Sequence, residues 1–172
     1  KLGKAKTMQE SFPEMIKTIK TSLPEIKLTE EAEIKYFKGK LGVKKIYQDA
    51  LQANELRSYV NIEEVLDVFP ENNQLFDDAF KKNQNLKIFE ICGNSPQAKE
   101  RIEKSNKKHF YKILPNDMTL IGQDVLLYNN RVAVIHLKGQ INGVILHNTD
   151  LFQNFKLLFD FLWKMIPDLP KR

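Results

Sequence analysis

The sequence predicts an α/β domain, a mixed sheet flanked by helices with a further helix at the N-terminus. Three observations carry that expectation. β-prone runs alternate with helical patterns through the first half of the chain, which suggests parallel strands with helices packed on the faces. Short β-rich runs then follow one another without helices between them, which suggests an added antiparallel meander. A strongly amphipathic helix closes the chain.

The elements follow in order. Met8, Phe12, Met15, Ile19 and Ile26 form a short heptad-like seam. Pro13 can sit in a first helical turn, and Pro24 ends the helix. Residues 1–30 are therefore expected to be helical. Two heptads are too short for a stable coiled coil on their own, so the segment either packs on its own domain or is the tail of a longer dimerising helix. Residues 31–172 are expected to form the α/β domain.

Ile34-Lys35-Tyr36-Phe37 is a β-prone run closed by Gly39, and Val43, Ile46, Tyr47, Ala50 and Leu51 follow at helical spacing. Leu56 to Val60 reads as a strand. Ile62 to Asn83 reads as helix interrupted near Pro70. Leu86 to Ile91 alternates as a strand. In the loop after it, Ser95 can cap the next helix with Pro96 in its first turn. Phe110 to Leu114, Val125 to Tyr128, Val132 to Leu137 and Gly143 to His147 are the later strands. Asn129-Asn130 is a two-residue hairpin signal. Leu151, Phe152, Phe155, Leu158, Phe159, Leu162, Trp163 and Ile166 form one apolar stripe, read as core packing, with a cap at Asn148 or Thr149 and a stop at Pro167.

Composition narrows the function classes. The 172 residues are 42% hydrophobic and 28% charged, ordinary for a globular protein. No apolar run approaches the length that spans a bilayer, and no signal peptide is visible. A single cysteine, Cys92, allows no internal disulfide and weakly favours a reducing compartment. The expectation is a cytoplasmic protein without membrane contact. Net charge is +5, mildly basic, but most lysines are interspersed with acids on helix faces that read as solvated. The chain opens without methionine in a helical pattern, which suggests a piece of a longer protein.

No complete catalytic or metal constellation is visible. His109, His136 and His147 do not stand at ligand spacing with one another or with Cys92. The few glycines are scattered and make no phosphate-binding loop. Cys92 closes a strand, where α/β folds bind ligands, yet a buried inert thiol is the more ordinary reading. His136-Leu137-Lys138 resembles the opening of the His-x-Lys-x4-Asp motif of the phospholipase D superfamily, but its aspartate position is Gly143.

A broader resemblance covers nearly the whole chain. The run from Lys35 to Leu51, with Tyr36-Phe37-Lys38-Gly39 and Ile46-Tyr47-Gln48-Asp49-Ala50-Leu51, resembles the start of the sensor domain of TrmB-like transcription regulators. Phe12-Pro13-Glu14-Met15 resembles the tail of their connecting helix. The run from Asp124 through Tyr128-Asn129-Asn130-Arg131 to Ile135 resembles their strand-turn-strand, and the closing helix fits as well. The order of these pieces carries the likeness, since no single motif is diagnostic. It implies a phospholipase-D-like fold, and in that register the motif positions are Gly122, Asp124 and Asn129. Gly122 offers no nucleophile, and Asp124 would repel a phosphate where lysine should attract it.

The resemblance therefore implies a non-catalytic, effector-sensing and dimerising domain without cofactor. Its effector would be a small molecule, often a sugar in this family. It would reach DNA only through a winged helix outside this sequence. Strand C-terminal ends are where such folds seat ligands. The candidate ligand-binding residues are Tyr59 and Asn61, Gly93 and Asn94, and Asp124, although Asn and Gly are also simply good turn formers. Two other readings stand beside this one. The first is a diverged phosphodiesterase using His136 and Lys138. The second is a ligand-free interaction module, touching nucleic acid through Lys99, Arg101, Lys104, Lys107 and Lys108.

Overall fold

The computed structural model describes residues 32–116, 118 and 122–169. The described residues belong to one compact unit, Ala32–Arg172. The helix expected over residues 1–30 lies outside the described residues. Strands are β1 (Glu33–Lys38), β2 (Glu55–Val60), β3 (Lys87–Cys92), β4 (His109–Ile113), β5 (Gln123–Tyr128), β6 (Arg131–His136) and β7 (Asn142–His147). Helices are α1 (Gly39–Ala50), α2 (Ile62–Val68), α3 (Asn72–Lys82), α4 (Pro96–Lys104) and α5 (Thr149–Met165).

The strands form one mixed sheet in the order β1-β7-β6-β5-β2-β3-β4. β2, β3 and β4 are parallel, and β5 joins them antiparallel alongside β2. β5, β6 and β7 form the meander that the sequence predicts. Two placements differ from the sequence reading. β1 does not join the parallel half: it pairs antiparallel with β7 at the far edge. β4, the first of the later β-rich runs, is parallel to β3 rather than part of the meander. Neither could be read from order alone, because a strand's neighbour is set by long-range pairing.

Local chemistry fixes the joints. Pro70 separates α2 from α3, since it has no N–H to continue the helix. Asn129 and Asn130 both have positive φ, 44° and 58°, which is the geometry of a tight hairpin turn that asparagine tolerates. Asn148 caps α5 by accepting the Leu151 N–H at 2.8 Å.

The core has two layers because strand side chains alternate. One face carries Leu56, Ile88, Leu126, Ala133 and Ile145, covered by Val43, Ile46 and Tyr47 of α1 and by Val65, Phe76, Phe80, Ala98 and Ile102 of the later helices. The other face carries Ile91, Leu127 and Val132 and is covered by α5 through Phe155, Phe159 and Trp163. Phe159 is buried and packs edge-on against Tyr59 at 5.1 Å between centroids. The closing stripe read as core packing is only partly so. Leu158 and Leu162 are exposed, as are Leu157, Phe161 and Met165.

Gly143 lets α1 lie close on the sheet. A Cβ there would sit 2.6 Å from Ile46 Cδ1 and 3.1 Å from the Val134 carbonyl oxygen. The site where the His136-Lys138 motif would need its aspartate therefore takes a side chain only if Ile46 and the neighbouring β6 backbone give way.

Candidate functional site

The C-terminal ends of β2 and β3 and the segment after β4 lie side by side because these strands are parallel neighbours. Between them is a cleft of about 180 Å³, walled by Asn61, Glu63, Gly93, Asn94, Ser95 and Asn116 among others. Three of the five residues singled out from the sequence, Asn61, Gly93 and Asn94, line it together. Its size suits a ligand smaller than the drug-sized molecules that fill pockets of about 300–1,000 Å³.

Most polar atoms on its walls are held in place. The Asn61 amide bridges to Glu64, donating to its carboxylate at 2.8 Å, and caps α2. Asn94 donates to the side-chain oxygen of Asn116. Ser95 Oγ accepts the Ala98 N–H at 3.1 Å and opens α4. Pre-set amide dipoles of this kind bind hydroxyl groups without further ordering cost.

Asp124 lies beneath the cleft, not in it. It is buried on β5. One carboxylate oxygen accepts the Tyr47 hydroxyl at 2.6 Å and the other accepts the Asn61 N–H at 3.0 Å. Burial pushes its carboxyl up to about 7, against the downward pull of those two hydrogen bonds. Asp124 thus ties α1 and the start of α2 to β5. Tyr59 points to the opposite face of the sheet, where it meets Phe159. β2 alternation explains the split: Leu56, Ser58 and Val60 are buried in one layer while Arg57 and Tyr59 face α5.

Of the motif positions that the resemblance implies, Gly122 has φ +55°, a conformation that strains most side chains, and Asn129 sits in the hairpin turn. His136 ends β6, and its buried Nδ1 has no hydrogen-bond partner. Lys138 is paired with Glu64 at 2.6 Å. Cys92 is buried, and its thiol is pushed up to about 12 by that burial, with Glu90 adding to the effect. A thiol so held is not a nucleophile at neutral pH.

A second polar centre went unnoticed in the sequence. Glu90 on β3 is buried. It accepts from Ser58 Oγ at 3.2 Å and lies 3.5 Å from His109 Nε2 and 4.0 Å from the Arg101 guanidinium. Burial pushes the Glu90 carboxyl up, but Arg101 and His109 outweigh it and hold the group below its ordinary value. Burial also pushes the His109 imidazole down, against Glu90. Arg101 stacks over Phe76 at 4.6 Å. Two voids border this cluster: one of about 10 Å³ beside Ser58 and Glu90, no larger than one water, and an open cleft of about 160 Å³ lined by Arg101, His109 and Tyr111 among others. The signal was present: Glu90 stands in register with inward-facing Ile88 and Cys92 in the alternation of β3. Among the described residues, no group of three or more His, Cys, Asp or Glu could hold a metal ion. No described helix is long and apolar enough to cross a membrane.

No family model matches the sequence, and no curated protein matches it. Solved structures do. NucT from Helicobacter pylori superposes with a TM-score of 0.63 at 10% identity, over 81% of this chain and 100% of that one. Nuc from Salmonella typhimurium, a phospholipase D family member, superposes with a TM-score of 0.61 at 12% identity, over 82% and 100%. TrmBL2, an archaeal chromatin protein with a novel mode of DNA binding, superposes with a TM-score of 0.54 at 10% identity. That match covers 96% of this chain, which spans 64% of TrmBL2. With seven strands in one mixed sheet and helices on both faces among the described residues, the chain has the phospholipase-D-like α/β fold that Nuc, NucT and TrmBL2 share.

Proposed function

We propose that this chain is the effector-sensing, self-associating and non-catalytic domain of a TrmB-like transcription regulator. The ligand seat would be the cleft lined by Asn61, Gly93 and Asn94. The observation that carries the reading is Asp124. In the motif register that the resemblance implies, it stands where a phosphate-binding lysine would be expected, and its carboxylate is used up in tying α1 and α2 to the sheet. Gly122, beside it, supplies no nucleophile.

The cleft also favours one ligand class. Its lining residues bring amides, a hydroxyl and the Glu63 carboxylate, and none is Lys or Arg. A phosphodiester would find no cation there, whereas a neutral polyol such as a monosaccharide would find donors and acceptors. Asp124 would act on the ligand indirectly, through the Asn61 backbone, and Tyr59 would report to α5 rather than touch the ligand. Contact with DNA is assigned to a domain outside this sequence.

The test is a thermal-shift screen of the chain against sugars, nucleotides and phosphorylated metabolites. A ligand at about 100 times its dissociation constant adds about 2.7 kcal/mol of stability. A sugar hit abolished by Asn94→Ala supports the reading. A shift seen only with phosphorylated compounds counts against the polyol assignment. Phosphodiester hydrolysis that disappears in His136→Ala would overturn the non-catalytic assignment.

A further inference from the structure

We infer that α5 is the surface through which two copies of this chain associate. The inference rests on the self-association proposed above and names the surface that performs it.

A helix on the outside of a domain normally shows one apolar stripe, and one that is apolar all round is normally covered all round. α5 departs from that rule. Its inner stripe packs on the sheet through Phe155, Phe159 and Trp163. Its outer side carries a second stripe, Leu157, Leu158, Phe161, Leu162 and Met165, at spacings of one and three residues. These side chains are 70, 60, 61, 42 and 67% exposed. The pattern is that of a seam between two helices.

The surrounding charges leave the stripe neutral. Lys156 and Asp160 pair with each other at 2.7 Å on the flank, where Asp160 also holds Arg57 at 2.8 Å. Among the exposed α5 residues from Gln153 to Met165, Lys164 alone is charged. A copy of the same helix therefore meets little repulsion.

Area and symmetry point to a second copy as the occupant. The five exposed side chains present on the order of 600 Å², at the upper limit of the largest apolar patch on a typical monomer. Doubled across a twofold axis, this gives about 1,200 Å², the lower bound for a specific interface. An axis passing between Phe161 and Leu162 of antiparallel helices sets Leu158 against the partner's Met165. It also sets Phe161 against the partner's Leu162. Every step is apolar on apolar, the self-complementarity that an isologous dimer requires.

Sedimentation velocity over a dilution series tests this on the full chain. The wild type is expected to be a reversible dimer. The pair Leu158→Glu and Phe161→Glu should weaken it at least about 100-fold, because each charge is buried against apolar surface on association. Both side chains already face water in the monomer, so the melting temperature at high dilution should hold. Phe161→Cys gives a second readout: mild oxidation should link two copies, against a quiet background because Cys92 is buried. A wild type that sediments as a monomer at all concentrations overturns both this inference and the proposed self-association. A dimer unchanged in the double variant overturns this inference alone and places association elsewhere. If the double variant fails to fold, the Phe161→Cys cross-link decides, and its absence refutes the surface.

Discussion

Replacing Asp124 with asparagine should stabilise the protein at alkaline pH and change little in mild acid. The carboxyl is buried with only two hydrogen bonds to support its charge, and burial raises it from an ordinary 3.8 to about 7. The sign follows from proton linkage. Below about pH 4 the group is protonated folded and unfolded alike, and it carries no penalty. Between about 4 and 7 the folded state keeps a proton that the unfolded chain has released, so stability falls as pH rises. Above about 7 the full cost is present, about 4 kcal/mol for a displacement of this size. Asparagine mimics the neutral acid in shape: its oxygen can accept the Asn61 N–H while its amide donates to the Tyr47 hydroxyl. Urea unfolding of both proteins from pH 4 to 8 should show curves that coincide in acid and diverge steadily to about 4 kcal/mol. At a few degrees per kcal/mol, the melting temperature at pH 8 should rise by about 10 °C. A difference that does not vary with pH, or a wild type more stable than the variant at pH 8, refutes the reasoning.

Other outcomes follow from the same packing. Gly143→Ala should cost about 1–3 kcal/mol in urea unfolding, as overpacking does, and Ile46→Val in the same chain should recover part of it by removing the atom that the new Cβ meets. An unchanged midpoint would show that α1 does not rest on this glycine. Glu90→Gln leaves the buried Arg101 guanidinium without its counter-charge, for which a loss of about 3–5 kcal/mol is expected; a neutral effect would mean that Arg101 finds solvent. Cys92 should resist a thiol reagent in the native protein and react only as the chain unfolds, so labelling as fast as that of a free thiol would refute its burial.

Much of the fold was legible because local rules and tertiary demands agree. Pro70, Ser95-Pro96, Asn129-Asn130 and Asn148 each punctuate the chain by backbone chemistry that needs no distant partner. The parallel pair β2 and β3 follows from the helices between its strands, whereas the parallel place of β4 beside β3 did not, because its run reads as one of the later β-rich strands. What local pattern could not settle was β1, whose pairing with β7 is decided by residues far along the chain. Nor could periodicity divide the α5 apolar positions between core and surface. Leu158 and Leu162 share helical spacing with Phe155 and Phe159, and only the orientation of the helix on the sheet separates them. The cleft was half legible. Asn61, Gly93 and Asn94 stand at strand ends and meet there. Tyr59 is placed by strand alternation on the other face, and Asp124 is one layer too deep.

The pairing of β1 with β7 joins the start of the described unit to its last strand, with Phe37 opposite Gly143. About a hundred residues must be laid down before this ladder can close, an entropic cost that grows slowly with loop length but delays the event. During synthesis, the sheet therefore cannot be finished until the final hairpin has left the ribosome. Until then β1 waits as a bare strand with its backbone unpaired and Phe37 uncovered, and α1, which reaches its seat over Gly143 only when β7 arrives, waits with it. A strand translated late thus locks in one translated early.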